Sequence, residues 1–586
     1  MSVISKELVQ EHFWDDWHFI LFSLKQTVFD FCCLVKTSIG IIMLGVIILL
    51  LSKLKIYNYK KFEEFSLEFN EEFCVMVGNN GTGKSTIIEA IHLALTGTLN
   101  GKSIFYELSP YLFNRNIVQK FIESVRKDNK LLPPNIMIEL YFTETEDSDI
   151  NELIGMENSE NINVPGITFL VGFNENYRDE YQQYIESEEN FQHIPTEYYT
   201  VEWKSFAGLN VTTRSIPVKS HLIDSTTTSL VSSSQKYIMN IISDVLDDRQ
   251  KANLAVLYRS YKEKFGEHPS ISSINEVLND KKNLILDDSR SLSISLDVSQ
   301  KATWEAAIAA FLDDIPFDFI GKGEQNVLKT TLAIGNRKPN RNIILIEEPE
   351  SHLSFSNMRI LLDKIVNECS DQQLIITTHS SYVLNKMSMD NVLLLGEHRN
   401  GTLNQLPDDT KEYFQKLPNF DTLRFILSKK VILVEGPADD LIIQRAYFQQ
   451  NGRLPLDDGI DIITVNGLSF KRFLDIAKLL KIDTVVVTDN DGDYEKKIIE
   501  KYKDYRQENI KICYSRNNEL HTLEPQVLKC NSENIDKLKQ ILDKNNKTEQ
   551  ELLNYMGNNK TDWALKVFLN KTTELDYPEY IYDAIQ

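Results

Sequence analysis

Nine residues, Gly78-Asn79-Asn80-Gly81-Thr82-Gly83-Lys84-Ser85-Thr86, constrain this chain more than any other stretch. They match G-x-x-x-x-G-K-[ST] and stand between a short apolar run, Phe73 to Val77, and a helical pattern over Thr86 to Leu95. Glycines in such a turn let backbone N–H groups wrap an anion before the chain enters a helix, so the context predicts an α/β unit that binds phosphate. All nine residues are expected at the nucleotide. Lys84 would neutralise the β/γ charge and the Ser85 hydroxyl would ligate Mg²⁺. An accidental glycine turn has no reason to fall between a buried strand and a helix.

A second motif has the complementary chemistry. Ile343 to Ile346 reads as a buried strand ending in Glu347-Glu348-Pro349-Glu350. Glu347 is expected to hold Mg²⁺ or its water, and Glu348 to polarise the attacking water. Upstream, Gly321-Lys322-Gly323-Glu324-Gln325 opens a helix; downstream, Thr377-Thr378-His379-Ser380 closes the strand that starts at Leu374. Together these pieces resemble the signature and switch histidine of ABC and SMC-type ATPases. The resemblance implies ATP as cofactor, Gly323 and Gln325 capping a nucleotide held by another protomer, and His379 at the γ-phosphate. The stretch Glu350-Ser351-His352-Leu353-Ser354 departs from the pattern in lacking a second His-Pro.

Length and composition bound the rest. The 586 residues suggest about four domains, and 42% hydrophobic with 25% charged residues is ordinary globular composition. Six cysteines without a C-x-x-C spacing form neither a zinc framework nor a secreted disulfide scaffold, which points to a reducing compartment. A net charge of −22 argues against nucleic acid only if it is evenly spread, and it is not. Residues 141–200 carry fourteen acids against one base, Arg178, so a solvated acidic surface accounts for over half of the excess. An electrostatic gate or DNA mimic is the sharper alternative there. Arg115, Lys120, Arg126, Lys127 and Lys130 remain available to phosphate.

At the N-terminus, sixteen uncharged residues lie between Lys36 and Lys53, just under the span of about 17–25 that a membrane helix needs. Two readings stand: a membrane anchor with the chemistry on the cytoplasmic side, as Lys53, Lys55, Lys60 and Lys61 require, or an extraneous extension with Met43 as an internal start. Both leave the protein cytoplasmic, and membrane association is left open.

The C-terminal part carries acids of its own. Val431 to Val434 reads as a buried strand followed by Glu435-Gly436-Pro437-Ala438-Asp439, and Thr484 to Thr488 as another followed by Asp489-Asn490-Asp491-Gly492-Asp493. Alternation at a strand end is expected to send both Asp489 and Asp491 into one cavity, at the sheet edge where α/β folds place their sites. Clustered oxygen donors suit Mg²⁺ or Mn²⁺, not zinc. A calcium loop is set aside, because with Asp489 in position one the sixth position needs glycine and holds Tyr494.

Glu435 with Gly436, then Asn466-Gly467, then Asp489-x-Asp491, resembles the Toprim domain of topoisomerases, primases and certain nucleases. An SMC-like ATPase joined to a C-terminal Toprim domain is similar to the OLD family of ATP-dependent nucleases, which includes an antiphage nuclease subunit. That likeness implies a DNA endonuclease with Glu435, Asp439, Asp489, Asp491 and Glu524 as metal ligands. In this likeness Lys560, in Gly557-Asn558-Asn559-Lys560, stabilises the transition state. It also implies DNA as partner, a homo-dimer or tetramer, and a UvrD-like helicase as a further partner. The expected architecture is α/β: an N-terminal extension 1–51, an ATPase lobe 52–142, a mostly helical dimerisation insert 143–300, a second ATPase lobe 301–428 and a Toprim domain 429–586. The competing reading is a RecF-like, ATP-gated DNA sensor whose Toprim domain is a non-catalytic scaffold; the retained acids argue against it. A primase or topoisomerase lacks its zinc segment or tyrosine domain.

Overall fold

The computed structural model describes residues 51–586 apart from 70–72, 127–131, 146, 188–192, 225–238, 240–241, 243–245, 284–291, 298–303, 336–341, 369–371, 388, 397–399, 417–421 and 466–469. The apolar N-terminal run, Lys127, Lys130 and Asn466-Gly467 therefore lie outside the described residues, within which no helix is long and apolar enough to cross a membrane.

The head is built from two sheets around one helix. The first contains β1 (Leu51–Tyr59) and β2 (Phe62–Glu68). After β3 (Phe73–Val77) and α1 (Lys84–Thr96), it is completed by β4 (Ile136–Phe142), β5 (Val164–Phe173) and β6 (Tyr199–Ser205), all antiparallel. Its register aligns Phe65, Ile56, Ile138, Phe169 and Trp203 in one cross-strand row, the kind of apolar ladder that stabilises a sheet. The second sheet is formed by β3, β7 (Lys219–Asp224), β8 (Asn342–Glu347), β9 (Gln373–Thr378), β10 (Val392–Leu395) and β11 (Asn400–Thr402). Its order is β7-β8-β9-β3-β10-β11, parallel except for the last pair. The central runs FCVMV, NIILIE and QLIITT are buried almost throughout, as strands covered on both faces must be. Helix α1 lies between the sheets, with Ile87, Ile88, Ile91 and Leu95 in their shared core. The buried Gln373 side chain joins the two sheets by a pair of bonds to the Leu51 backbone, N–H to Oε1 at 2.7 Å and Nε2 to O at 2.9 Å.

Within 143–300, where a mostly helical insert is expected, strands also join the head. Strands β5, β6 and β7 belong to the head sheets, and β7 pairs residue by residue with β8, Asp224 opposite Glu347. Helical structure in that stretch is concentrated in α2 (Asp248–Glu267) and α3 (Pro269–Asn283). The acids that make 141–200 look like a solvated loop fall outside the strand, among them Asp149 in the short helix Ser148–Asn151 and Asp179 and Glu180 in the helix Arg178–Ser187, while VPGITFLVGF between them is a strand.

In the head, α4 (Lys322–Gly335) precedes β8 and α5 (Phe355–Glu368) follows it. Then α6 (Asp408–Lys416) and α7 (Thr422–Leu427) lead to a four-stranded parallel sheet. Its strands are β12 (Lys430–Val434), β13 (Ile460–Thr464), β14 (Asp483–Val487) and β15 (Ile510–Cys513), ordered β13-β12-β14-β15. Helices α8 (Pro437–Asn451), α9 (Phe470–Leu480), α10 (Leu523–Cys530), α11 (Lys560–Leu569) and α12 (Glu579–Ile585) cover it. One continuous apolar cluster runs from Val75 and Ile376 in the head, through Phe414, Phe425 and Ile426, to Val431, Leu433 and Phe473.

Candidate active sites

The glycine-rich loop leaves β3 at the carboxyl edge of the parallel sheet, where switch-point sites form. Gly78 is buried, and a Cβ there would stand 2.2 Å from the Leu395 carbonyl oxygen and 2.7 Å from Thr82 Oγ1. Gly83 has φ +105° and a Cβ there would meet the Phe62 ring at 2.4 Å, so only glycine serves. Asn79, Asn80 and Gly81 form the exposed rim; Thr82 is buried, and Thr86 sits half-buried in the first turn of α1. Lys84 is buried and folded back on its own loop, donating to the Gly78 carbonyl at 2.7 Å and the Asn79 carbonyl at 3.1 Å. Burial lowers its pKa, while Glu348, Glu347 and Glu350 act in the opposite sense. Those carbonyls hold the ammonium in the lobe that a phosphate would occupy.

Around that lysine the second motif takes its expected place. Ser85 Oγ is hydrogen-bonded to Glu347, which ends β8 and whose pKa is raised by burial and by Asp224 and Glu348. Glu348 adopts φ +46°, an unusual conformation for a non-glycine, with its N–H bonded to the Thr377 carbonyl at 3.0 Å. His379 Nε2 faces Glu348 Oε1 at 3.3 Å, and burial with nearby Lys84 lowers the imidazole pKa. In the signature segment, Gly323 packs against the backbone at His352, where a Cβ would come within 2.5 Å of the carbonyl oxygen. Gln325 is turned inward instead of toward a nucleotide: it is 1% exposed and its amide donates to the carbonyls of Phe317 at 2.9 Å and Ile320 at 3.2 Å. These bonds tie the first turn of α4 to the short helix at Phe317 and lend its expected capping role no support.

The second site forms at the carboxyl edge of the four-stranded sheet. Glu435 follows β12, and its Oε1 accepts from Thr488 Oγ1 at 2.5 Å and from the Asp489 N–H at 3.1 Å. Asp439, at the start of α8, accepts the Gly436 N–H at 3.1 Å; burial and then Glu435 push its pKa up to about 7. Asp489 is pushed up to about 8 by burial, Asp439, Glu435 and Glu524, with Lys560 acting against the shift. Glu524 is 3% exposed and is paired with Lys560 at 3.5 Å, carried on a half-exposed side chain. Four carboxylates and one lysine thus lie together at the sheet edge, and burial with the neighbouring negative charge raises the proton affinity of Asp439 and Asp489. Oxygen donors under that strain suit a divalent cation, which would relieve the repulsion. Among the described residues no three of them converge tightly enough to enclose an ion.

Asp491 departs from expectation. It is exposed with φ +47°, and it adds to burial and Glu435 in raising the pKa of the buried Tyr502 phenol. The alternation argument holds only while the chain stays extended. Here Asn490 dives inward, fully buried, donating to the carbonyls of Ser515 at 2.8 Å and Asn517 at 2.9 Å and accepting the Gly492 N–H at 2.9 Å. An Asn-x-Gly turn was the available signal for that. Thr488 and Tyr580 were also missed: the first orients Glu435, and the second is a buried phenol near Asp489 and Asp439. Nothing local in the sequence marks Tyr580, which reaches the site from the last helix. Of the basic set, Lys120 is paired with Glu63 at 2.8 Å.

The two sites are linked through the chain between them. Asn79 Nδ2, on the nucleotide loop, donates to the carbonyl of Leu427 at 3.2 Å, three residues before β12 begins.

Comparison with known proteins agrees with this layout. A family model described as an AAA ATPase domain matches residues 50–384. A second, Overcoming lysogenization defect protein-like, TOPRIM domain, matches residues 426–491. "Endonuclease GajA" of Bacillus cereus (strain HuB5-5) is 20% identical over 590 aligned positions, covering 82% of this chain and 84% of that protein. "Old nuclease" of Escherichia phage P2 is 27% identical over 168 positions, covering 26% of this chain and 28% of that one. Solved structures superpose loosely. An SMC head bound to the C-winged helix domain of ScpA has TM-score 0.30 at 14% identity, over 59% of this chain and 94% of that one. The C-terminal region of the Burkholderia pseudomallei OLD protein has TM-score 0.23 at 18% identity, over 27% and 96%. Because the first model spans more than half of its length, the chain belongs to the AAA ATPase domain family, and it carries an Overcoming lysogenization defect protein-like TOPRIM domain behind that head.

Proposed function

We propose that this protein is an ATP-regulated, divalent-metal-dependent DNA endonuclease of the OLD family, acting in antiphage defence or DNA processing. The observation that carries the reading is the group Glu435, Asp439, Asp489 and Glu524 beside Lys560 at the edge of a parallel sheet. The likeness to proteins named endonuclease and nuclease supports it. Drawn closer together by the ion than they stand here, those four acids would hold Mg²⁺ or Mn²⁺, which would supply Lewis acidity toward water and the scissile phosphate. Lys560 places positive charge where negative charge develops on phosphorus, and Thr488 keeps Glu435 oriented. In the head, Ser85 and Glu347 would hold the nucleotide's Mg²⁺, and Glu348 would orient water, with His379 facing it.

Regulation is given a route by Asn79. A phosphate that draws Lys84 away from the Gly78 and Asn79 carbonyls changes the peptide whose side chain holds Leu427. Leu427 leads into β12, and Glu435 follows that strand. Self-association is supported by an exposed apolar stripe, Leu257, Tyr261 and Phe265 on α2 with Ile274 and Val277 on α3.

The test is cleavage of supercoiled plasmid DNA by the full-length protein in Mg²⁺ or Mn²⁺, with and without ATP, beside Asp489→Ala and an EDTA control. Metal-dependent cleavage that the substitution reduces by about 10²-fold or more supports the reading. ATP hydrolysis without cleavage under any condition would move the assignment to a DNA sensor with a scaffold Toprim domain.

A further inference from the structure

Glu350 lies past the two carboxylates that the nucleotide chemistry uses, and it is bound to the segment of chain that carries His379. Its Oε1 accepts two donors, the Thr378 hydroxyl at 2.7 Å and the His379 backbone N–H at 2.9 Å. Thr378 Oγ1 in turn accepts the Ser380 N–H at 2.9 Å, and Ser380 Oγ accepts the Val383 N–H at 3.4 Å, opening the helix Ser381–Lys386. One carboxylate on the turn after β8 therefore sets the path of the chain leaving β9. His379 sits at that exit, its imidazole 3.3 Å from Glu348. Thr378 is fully buried, so withdrawing the acceptor would leave a donor unsatisfied in the core and free the peptide that carries the histidine.

We propose that Glu350 is a positioning residue for ATP hydrolysis, holding the backbone at His379 so that the imidazole faces Glu348 at the edge of the nucleotide site. The second oxygen, Oε2, is buried and makes no hydrogen bond. Burial raises the pKa of this carboxyl, with the hydrogen bonds from Thr378 and the His379 backbone acting against it and Glu348 adding to it. What the site needs from Glu350 is an acceptor oxygen at Oε1, not a charge, and an amide supplies the same acceptor.

Steady-state ATP hydrolysis and equilibrium binding of a fluorescent ATP analogue, without DNA, distinguish the roles in wild type, Glu350→Gln and Glu350→Ala. Omitting DNA keeps the result independent of the nuclease reading. The expected pattern is a kcat within about threefold of wild type for Gln and at least about tenfold lower for Ala, while analogue Kd moves by less than about threefold in both. Thr378→Val removes one of the two bonds from the other side; if the Ala protein does not fold, a smaller fall in kcat with unchanged Kd in this variant supports the proposal. It is overturned if the Ala variant, or Thr378→Val where Ala does not fold, keeps wild-type kcat. It is also overturned if Kd and kcat fail together, or if Gln is as impaired as Ala, since charge or general packing would then be the contribution.

Discussion

His92 shows how a single side chain registers its surroundings. It lies on α1, with Nδ1 2.9 Å from Ser220 Oγ on β7, and burial together with neighbouring His221 lowers its pKa to about 4. The neutral ring is favoured in the folded state, so between about pH 6.5 and pH 4 the unfolded chain binds the proton more readily. Stability from this residue is complete above the unfolded pKa and falls as pH drops through that window, by about 3 kcal/mol in all. Urea denaturation across pH 4–7 should show a shallower loss for His92→Gln than for wild type; parallel curves would remove His92 from the account. At this scale the residues that the structure gathers at the two candidate sites were largely legible, because phosphate wrapping and strand-end carboxylates impose local spacings. Asp491 and Gln325 were not, since a turn inverted one and a core position claimed the other.

Elements are where composition misled. Averaged over 141–200, the acidic segments hide β5, although its own run VPGITFLVGF is apolar. Periodicity had to be read over the strand, not over the window. The helices of the C-terminal domain make the opposite point, because one buried residue places an element. Trp563 on α11 is fully buried, three residues after Lys560, and its indole N–H makes no hydrogen bond. Trp563→Ala should cost about 3–5 kcal/mol in chemical denaturation. Trp563→Phe, which loses no bond, should cost about 1.5 kcal/mol or less. If the alanine form cleaves DNA as wild type does near its own midpoint, α11 is not what delivers Lys560.

For the whole molecule, the question is how a head and a nuclease-like domain sense each other. They share one apolar cluster and the Asn79–Leu427 bond. A net hydrogen bond is worth about 0.5–1.5 kcal/mol, so Asn79→Ala should shrink the ATP-induced change in amide exchange over 428–435 by as much as about tenfold in the corresponding equilibrium. The same response to ATP in variant and wild type would place the coupling elsewhere.

The sequence alone was enough for the class of the head, the nucleotide loop, the order of motifs and most acids of the second site. Each of these is written into contiguous residues, where a strand, a turn and a helix start must follow one another. Tertiary structure alone decided that β7 completes the head sheet beside Glu347, that Asn490 rather than Asp491 faces inward, and that Tyr580 and Lys560 reach one cleft from distant helices. These depend on pairings between segments far apart in the chain, whose partners are chosen by burial and hydrogen bonding that no local pattern records.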